Sequence, residues 1–256
     1  MYYEEINIIS AAADKKSVFL KQSPSKYLLL SALAGMYVGF GILLIFSIGG
    51  LLSQADSPLV RIVMGISFGI ALSLVLMAGS ELFTGNHMVM TIGNMEKKVT
   101  MGETAAIYIF SFIGNLLGSI FIAYLFVLSG LAQGSTAAFM AKIAHSKVSL
   151  PWSELLARGV LCNTLVCLAT WCSFKMKEET GKLIMVFWCL FAFITTGFEH
   201  SVANMTLLSA VLLMPGAEAL TLTDFIYNMF WVTLGNFIGG ALLVGLPYWY
   251  ISTKKY

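Results

Sequence analysis

The chain has 256 residues, 58% of them hydrophobic and 11% charged, with a mean hydropathy of +0.85 and a net charge of +2. Soluble domains carry about 25% charged residues, so this composition excludes an ordinary globular domain and points to a chain embedded in lipid. So small a net charge, scattered between apolar runs, gives no footing for a nucleic-acid partner.

Residues 1–26, MYYEEINIISAAADKKSVFLKQSPSK, contain no cleavable apolar run near the start, so no signal peptide is expected. They read as an amphipathic helix lying at the cytoplasmic surface. Six apolar runs follow, at 27–52, 59–79, 103–130, 155–174, 183–196 and 225–250. A span needs about 20 such residues, so six crossings is the parsimonious count for an all-α polytopic membrane protein. The second and fifth runs lead into polar interruptions followed by short apolar pieces at 88–92 and 206–214. An even number of spans puts both termini on one side. Eleven of the 15 lysines and arginines fall on that side, in residues 15–26, the 97–98 and 175–182 loops and the C-terminus. Arg61, Lys142, Lys147 and Arg158 fall on the other. The positive-inside rule then makes both termini cytoplasmic in the cytoplasmic membrane. Trp152 and the cluster Tyr248, Trp249 and Tyr250 suit interfacial belts. The divisions are an N-terminal segment 1–26, a first repeat 27–130, an external connection 131–151, a second repeat 152–251 and a tail 252–256.

The interruptions match one another. Glu81-Leu-Phe-Thr-Gly-Asn86 aligns without a gap on Glu199-His-Ser-Val-Ala-Asn204, and Gly114-Asn115-Leu-Leu-Gly118 matches Gly235-Asn236-Phe-Ile-Gly239. Each half reads as span, broken span, span. Three is odd, so the halves enter the membrane from opposite faces, as a three-plus-three inverted repeat with broken second and fifth helices. Such repeats commonly place the substrate path where the breaks meet. Irregular backbone in hydrocarbon survives only when buried in protein or lining a cavity. Intramembrane polar groups beside it are candidates for function.

His200, within the second break, is the sharpest candidate, since an imidazole can donate a hydrogen bond to a small anion or exchange a proton with it. Thr84 offers a hydroxyl at the first break, with helix capping as its plainer use. Glu81 and Glu199 would repel an anion, so they are expected to accept bonds from loop amides or partner side chains. Asn86 and Asn204 suit bonds to orphan backbone groups. Asn163 and Asn236 either face the path or tie helices together; Asn115 reads as interhelical glue. Lys147 stands near an expected vestibule. Phe68, Leu72, Leu82 and Phe193 are candidates for apolar constrictions above and below a polar chamber, or for ordinary packing. Cys162, Cys167, Cys172 and Cys189 form no CxxC pair and read as buried apolar side chains. No cofactor or metal motif is visible, which argues against a membrane enzyme. A neutral-solute facilitator of the water or glycerol type is permitted by the repeat, but its paired NPA signature is absent.

The ELFTGN and GFEHSVANM segments and the GNxxG pair resemble the formate/nitrite transporter family, over essentially the whole chain. Within it, the sequence resembles the hydrosulfide-conducting branch. The resemblance implies an aquaporin-like fold, a homopentamer with one pore per protomer, and passage of small monovalent anions, hydrosulfide first and formate or nitrite besides. It implies that His200 and Thr84 face each other in the pore and that Asn163, Asn236 and Glu199 are polar partners there. It also implies that Leu82 and Phe193 form one constriction, that Phe68 and Leu72 form the other, and that Lys147 lies at the entrance. A channel or a proton-coupled transporter both fit.

Overall fold

A computed structural model describes residues 2–215 and 220–252. The tail beyond Ser252, with Lys254 and Lys255, lies outside the described residues. Among these there are helices and no strands. Six helices are long and apolar enough to cross a membrane, and their ends fall within about one turn of the apolar runs.

In chain order, α1 is Tyr3–Gln22, α2 is Pro24–Ser53 and α3 is Val60–Gly79. Helix α4 is Phe83–Met95, α5 is Met101–Leu128 and α6 is Gly134–Val148. Helix α7 is Trp152–Lys175, α8 is Glu179–Thr196, α9 is Ser201–Leu213 and α10 is Leu222–Ser252. The spans are α2, α3, α5, α7, α8 and α10. Helix α6 lies within the 131–151 connection, whose expected role was only that of a link.

Helix α1 buries Ile6, Ile9, Ala13, Ser17 and Leu20, a stripe at helical spacing. The stripe packs against the α4 residues Met88, Val89, Met90 and Ile92. Glu4 and Glu5 in its first turn and Lys21 in its last oppose the helix dipole favourably, and Lys21 pairs with Glu103 of α5. Pro24 opens α2 at a position where its missing N–H costs nothing. Reciprocal capping boxes start α5 at Thr100 and Glu103, and α10 at Thr221 and Asp224.

The small residues of the GNxxG pair set the closest helix approaches. A Cβ on Gly118 of α5 would strike the Ala32 carbonyl of α2, and one on Gly239 of α10 would strike the Val160 carbonyl of α7. Backbones pack at this distance only where no side chain intervenes.

Both interruptions have one construction. Helix α3 ends in a π turn at Val75–Gly79, with Gly79 at φ +77°. Residues 80–82 are non-helical, and α4 begins beyond them. Helix α8 ends at Gly197, φ +82°, and α9 begins after residues 198–200. Glycine adopts this left-handed geometry without a Cβ penalty. The orphan backbone groups are then met by asparagines. Asn115 accepts from the Phe83 N–H at 2.9 Å and donates to the Glu81 and Ser31 carbonyls at 2.9 and 2.7 Å. Asn236 accepts from the Ser201 N–H at 2.9 Å and donates to the Glu199 and Gly159 carbonyls, each at 2.9 Å. The Glu81 N–H donates to the Leu30 carbonyl and the Glu199 N–H to the Arg158 carbonyl, both at 3.3 Å. Six backbone groups that hydrocarbon would leave unpaired are thereby satisfied, three at each break.

Candidate permeation path

The residue after each glutamate caps the helix that follows: Leu82 with φ −92° and ψ 121°, His200 with φ −112° and ψ 118°. These positions correspond in backbone and differ in side chain. His200 caps α9 itself, its Nδ1 accepting from the Ala203 N–H at 3.1 Å. A neutral ring so engaged carries its proton on Nε2, and Nε2 lies 2.9 Å from Thr84 Oγ1. Thr84 and His200 therefore meet, one from each break, at the starts of α4 and α9.

Three cavities lie in series around this pair. A wide one of about 620 Å³ reaches Phe193 and His200. A narrower one of about 280 Å³ reaches Leu72 and Leu82. Between them is a pinch of about 10 Å³, bounded by Phe68, Leu72, Leu82, Phe193 and His200 together with aliphatic neighbours. That is about the room a single water-sized sphere needs, about 10–15 Å³. The pinch holds one polar side chain, His200, in an apolar ring, where a polar chamber was expected. All four expected constriction residues stand in this one pinch. Phe193 lies edge-on to Phe68 at 5.5 Å and parallel to the His200 ring at 5.9 Å, and Phe193 and His200 also border the wide cavity. Leu72 and Leu82 also border the narrower one.

Thr84, Asn163 and Asn236 line none of these cavities: Thr84 reaches the pinch only through His200, and backbone groups occupy the two asparagines. Asn163 Nδ2 lies 3.1 Å from the Thr84 carbonyl, 2.6 Å from the Asn236 carbonyl and 3.1 Å from His87 Nδ1. It ties the first break to the helix that holds the second.

Each glutamate sits in an ion pair between a cavity and the scaffold. Glu199, 2% exposed, lies 2.7 Å from Lys147 Nζ and accepts from Asn204 Nδ2 at 2.6 Å; Asn204 also donates to Asn228 at 2.8 Å. Glu81 pairs with Lys16 of α1 at 2.5 Å and accepts from the Tyr27 hydroxyl at 3.0 Å and from Asn86 Nδ2 at 3.4 Å. Lys147 borders the wide cavity and Lys16 the narrower one. Two buried carboxylates are thus neutralised by two lysines.

Several of these residues escape a reading of the sequence. Lys16 is one of four lysines in the first 26 residues, and nothing local marks it as Glu81's partner. His87 is 1% exposed, boxed by the rings of Phe83, Tyr108 and Phe237 at 4.5, 5.2 and 5.6 Å. Its place one residue past the ELFTGN segment was the available signal. Arg61, Lys142 and Arg158, counted only for sidedness, all join Lys147 in the wall of the wide cavity. The four cysteines are unpaired, with three of them buried.

A family model described as formate/nitrite transporter matches residues 3–250. The chain belongs to the formate/nitrite transporter family. It is 43% identical over 259 residues to the nitrite transporter NirC of Salmonella typhimurium, covering 100% of this chain and 94% of the relative. It is 38% identical to a probable formate transporter of Methanothermobacter thermautotrophicus, covering 96% of this chain and 94% of that one. Among solved structures, a chain described as an FNT family ion channel aligns with a TM-score of 0.92 and 40% identity, over 98% of this chain and 99% of that one. A pentameric formate channel with formate bound aligns at 0.80 and 27% identity, over 90% and 98%. These names correct the expected hydrosulfide branch: full-length relatives at 43% identity are nitrite transporters. Membership in a transporter family agrees with the non-enzymatic reading.

Proposed function

We propose that this family member passes small monovalent anions of the nitrite and formate kind through the three cavities, down their electrochemical gradient. The observation that carries the proposal is His200, hydrogen-bonded to Thr84 behind it, as the one polar side chain in the wall of an otherwise apolar pinch between two cavities. An anion entering the pinch sheds water against Phe193 or Leu82. With His200 Nε2–H directed at Thr84 Oγ1, the threonine hydroxyl keeps its own proton to donate to the ion. The N-termini of α4 and α9 add the positive ends of two helix dipoles. Lys147 and Lys16 hold the Glu199 and Glu81 carboxylates, so the approaches do not repel the ion.

The matched bonds of Asn115 and Asn236 favour reading the two halves as one inverted repeat of aquaporin-like form, with the breaks at mid-membrane. The lysine and arginine asymmetry supports cytoplasmic termini in the cytoplasmic membrane. The pentameric description of the formate-bound relative supports a homopentamer with one path per protomer. Full-length relatives named for anions favour this reading over a neutral-solute facilitator.

The test is uptake of nitrite, formate and chloride by liposomes holding verified folded protein, with ion flux and internal pH recorded separately. Nitrite or formate flux well above empty liposomes is the expected result. Stoichiometric proton entry would make the protein a proton-coupled transporter, and no anion flux would refute the proposal.

A further inference from the structure

The wide cavity is far larger than its proposed cargo needs. At about 620 Å³ it falls in the range of small-molecule sites, about 300–1,000 Å³. Part of its wall is apolar: Ile45, Phe46, Phe139, Phe193 and Leu207. The rest carries four cations, Arg61, Lys142, Lys147 and Arg158, against two carboxylates, Asp56 and Glu199. Lys147 is engaged by Glu199 and Arg158 by Glu154, whereas Arg61 and Lys142 make no ion pair among the described residues. The Arg61 guanidinium lies beside the turn that carries His200, its Nη1 3.7 Å from where a Cβ on Gly197 would stand. A planar fork in that place suits a carboxylate or sulfonate. An apolar surface with two available cations has the form of a site for an amphiphilic anion.

We propose that the wide cavity binds an organic monoanion with an apolar ring or branched body. Its charge rests on Arg61 and Lys142 and its body on the aromatic and aliphatic wall. Such an ion stops at Phe193, because its ring or branched body is far bulkier than the three-heavy-atom anions for which the pinch of about 10 Å³ must already widen, and it therefore plugs the path. The plugging rests on the anion-channel reading; the binding does not.

Benzenesulfonate is the probe, since it stays ionised and does not leak through lipid as a neutral acid. Methanesulfonate carries the same charge without the ring. Binding is read by equilibrium dialysis of labelled probe against detergent-solubilised protein, and plugging by nitrite flux in liposomes with probe on both sides. Each variant is scaled to its own uninhibited flux. Burial of the ring predicts that benzenesulfonate binds and blocks at a concentration about ten-fold or more below methanesulfonate. The double substitution Arg61→Gln, Lys142→Gln raises both concentrations about ten-fold, the loss expected for charge-assisted bonds. Equal potency of the two sulfonates, or a double variant that binds as the parent does, overturns the proposal. Binding with the expected variant effect but no nitrite flux in the parent leaves the site standing and refutes the channel reading instead.

Discussion

Thr84 and His200 are the two side chains on which the proposed path turns, and they are separable by substitution. Thr84→Val removes the hydroxyl at nearly constant volume and leaves the His200 Nε2–H without its partner at 2.9 Å. An unmade buried bond costs about 1–3 kcal/mol, so nitrite flux in liposomes should fall about ten-fold. Flux within about two-fold of the parent would remove Thr84 from the path. Glu199 and Lys147 call for a stability measurement. Lys147→Met leaves a carboxylate 2% exposed without its cation, a change of about 3–5 kcal/mol in comparable pairs. The melting temperature should drop sharply, and Lys147→Met combined with Glu199→Gln should recover much of it. At this scale the sequence was legible wherever a residue stood inside an interruption. It was silent where the partner came from far along the chain, as Lys16 does for Glu81 across 65 positions.

The broken helices depend on Asn115 and Asn236 more than on their own sequences. Each asparagine satisfies one amide and two carbonyls. Asn236→Leu leaves the Ser201 N–H and the Glu199 carbonyl unpaired, at about 1–3 kcal/mol each. Such a variant should fail to accumulate as folded protein, whereas Asn236→Asp, which keeps an acceptor for Ser201, should accumulate at an intermediate level; size-exclusion chromatography after mild solubilisation distinguishes them. Gly118→Ala should destabilise as well, because the added Cβ meets backbone rather than a yielding side chain. The spans and breaks are legible because lipid imposes a length and forbids unpaired backbone. Helix α6 is not, since a link of 21 residues between spans meets no such rule. That Phe68, Leu72, Leu82 and Phe193 stand in one pinch escapes for another reason. It depends on how α3 and α8 rotate about their axes, which spacing along one helix does not fix.

Across the whole molecule, each half supplies a span, an interrupted span capped next to a glutamate, and a third span whose asparagine clasps the interruption. Lysines from outside these halves, Lys16 on α1 and Lys147 on α6, complete them. Between the shared glutamate and asparagine the side chains differ, and at the capping position Leu82 answers to His200. On the proposed path, an ion arriving through the wide cavity reaches the imidazole beside Phe193, whereas one arriving through the narrower cavity must first pass leucine. A passive conduit cannot alter the equilibrium it serves, but its two entry barriers need not be equal. Nitrite entry and exit, measured in liposomes of uniform orientation, should saturate at different concentrations while reaching the same end point. The Leu82→His variant, by furnishing both faces alike, should bring the two saturation curves together: a molecule doubled in architecture would then lose its rectification.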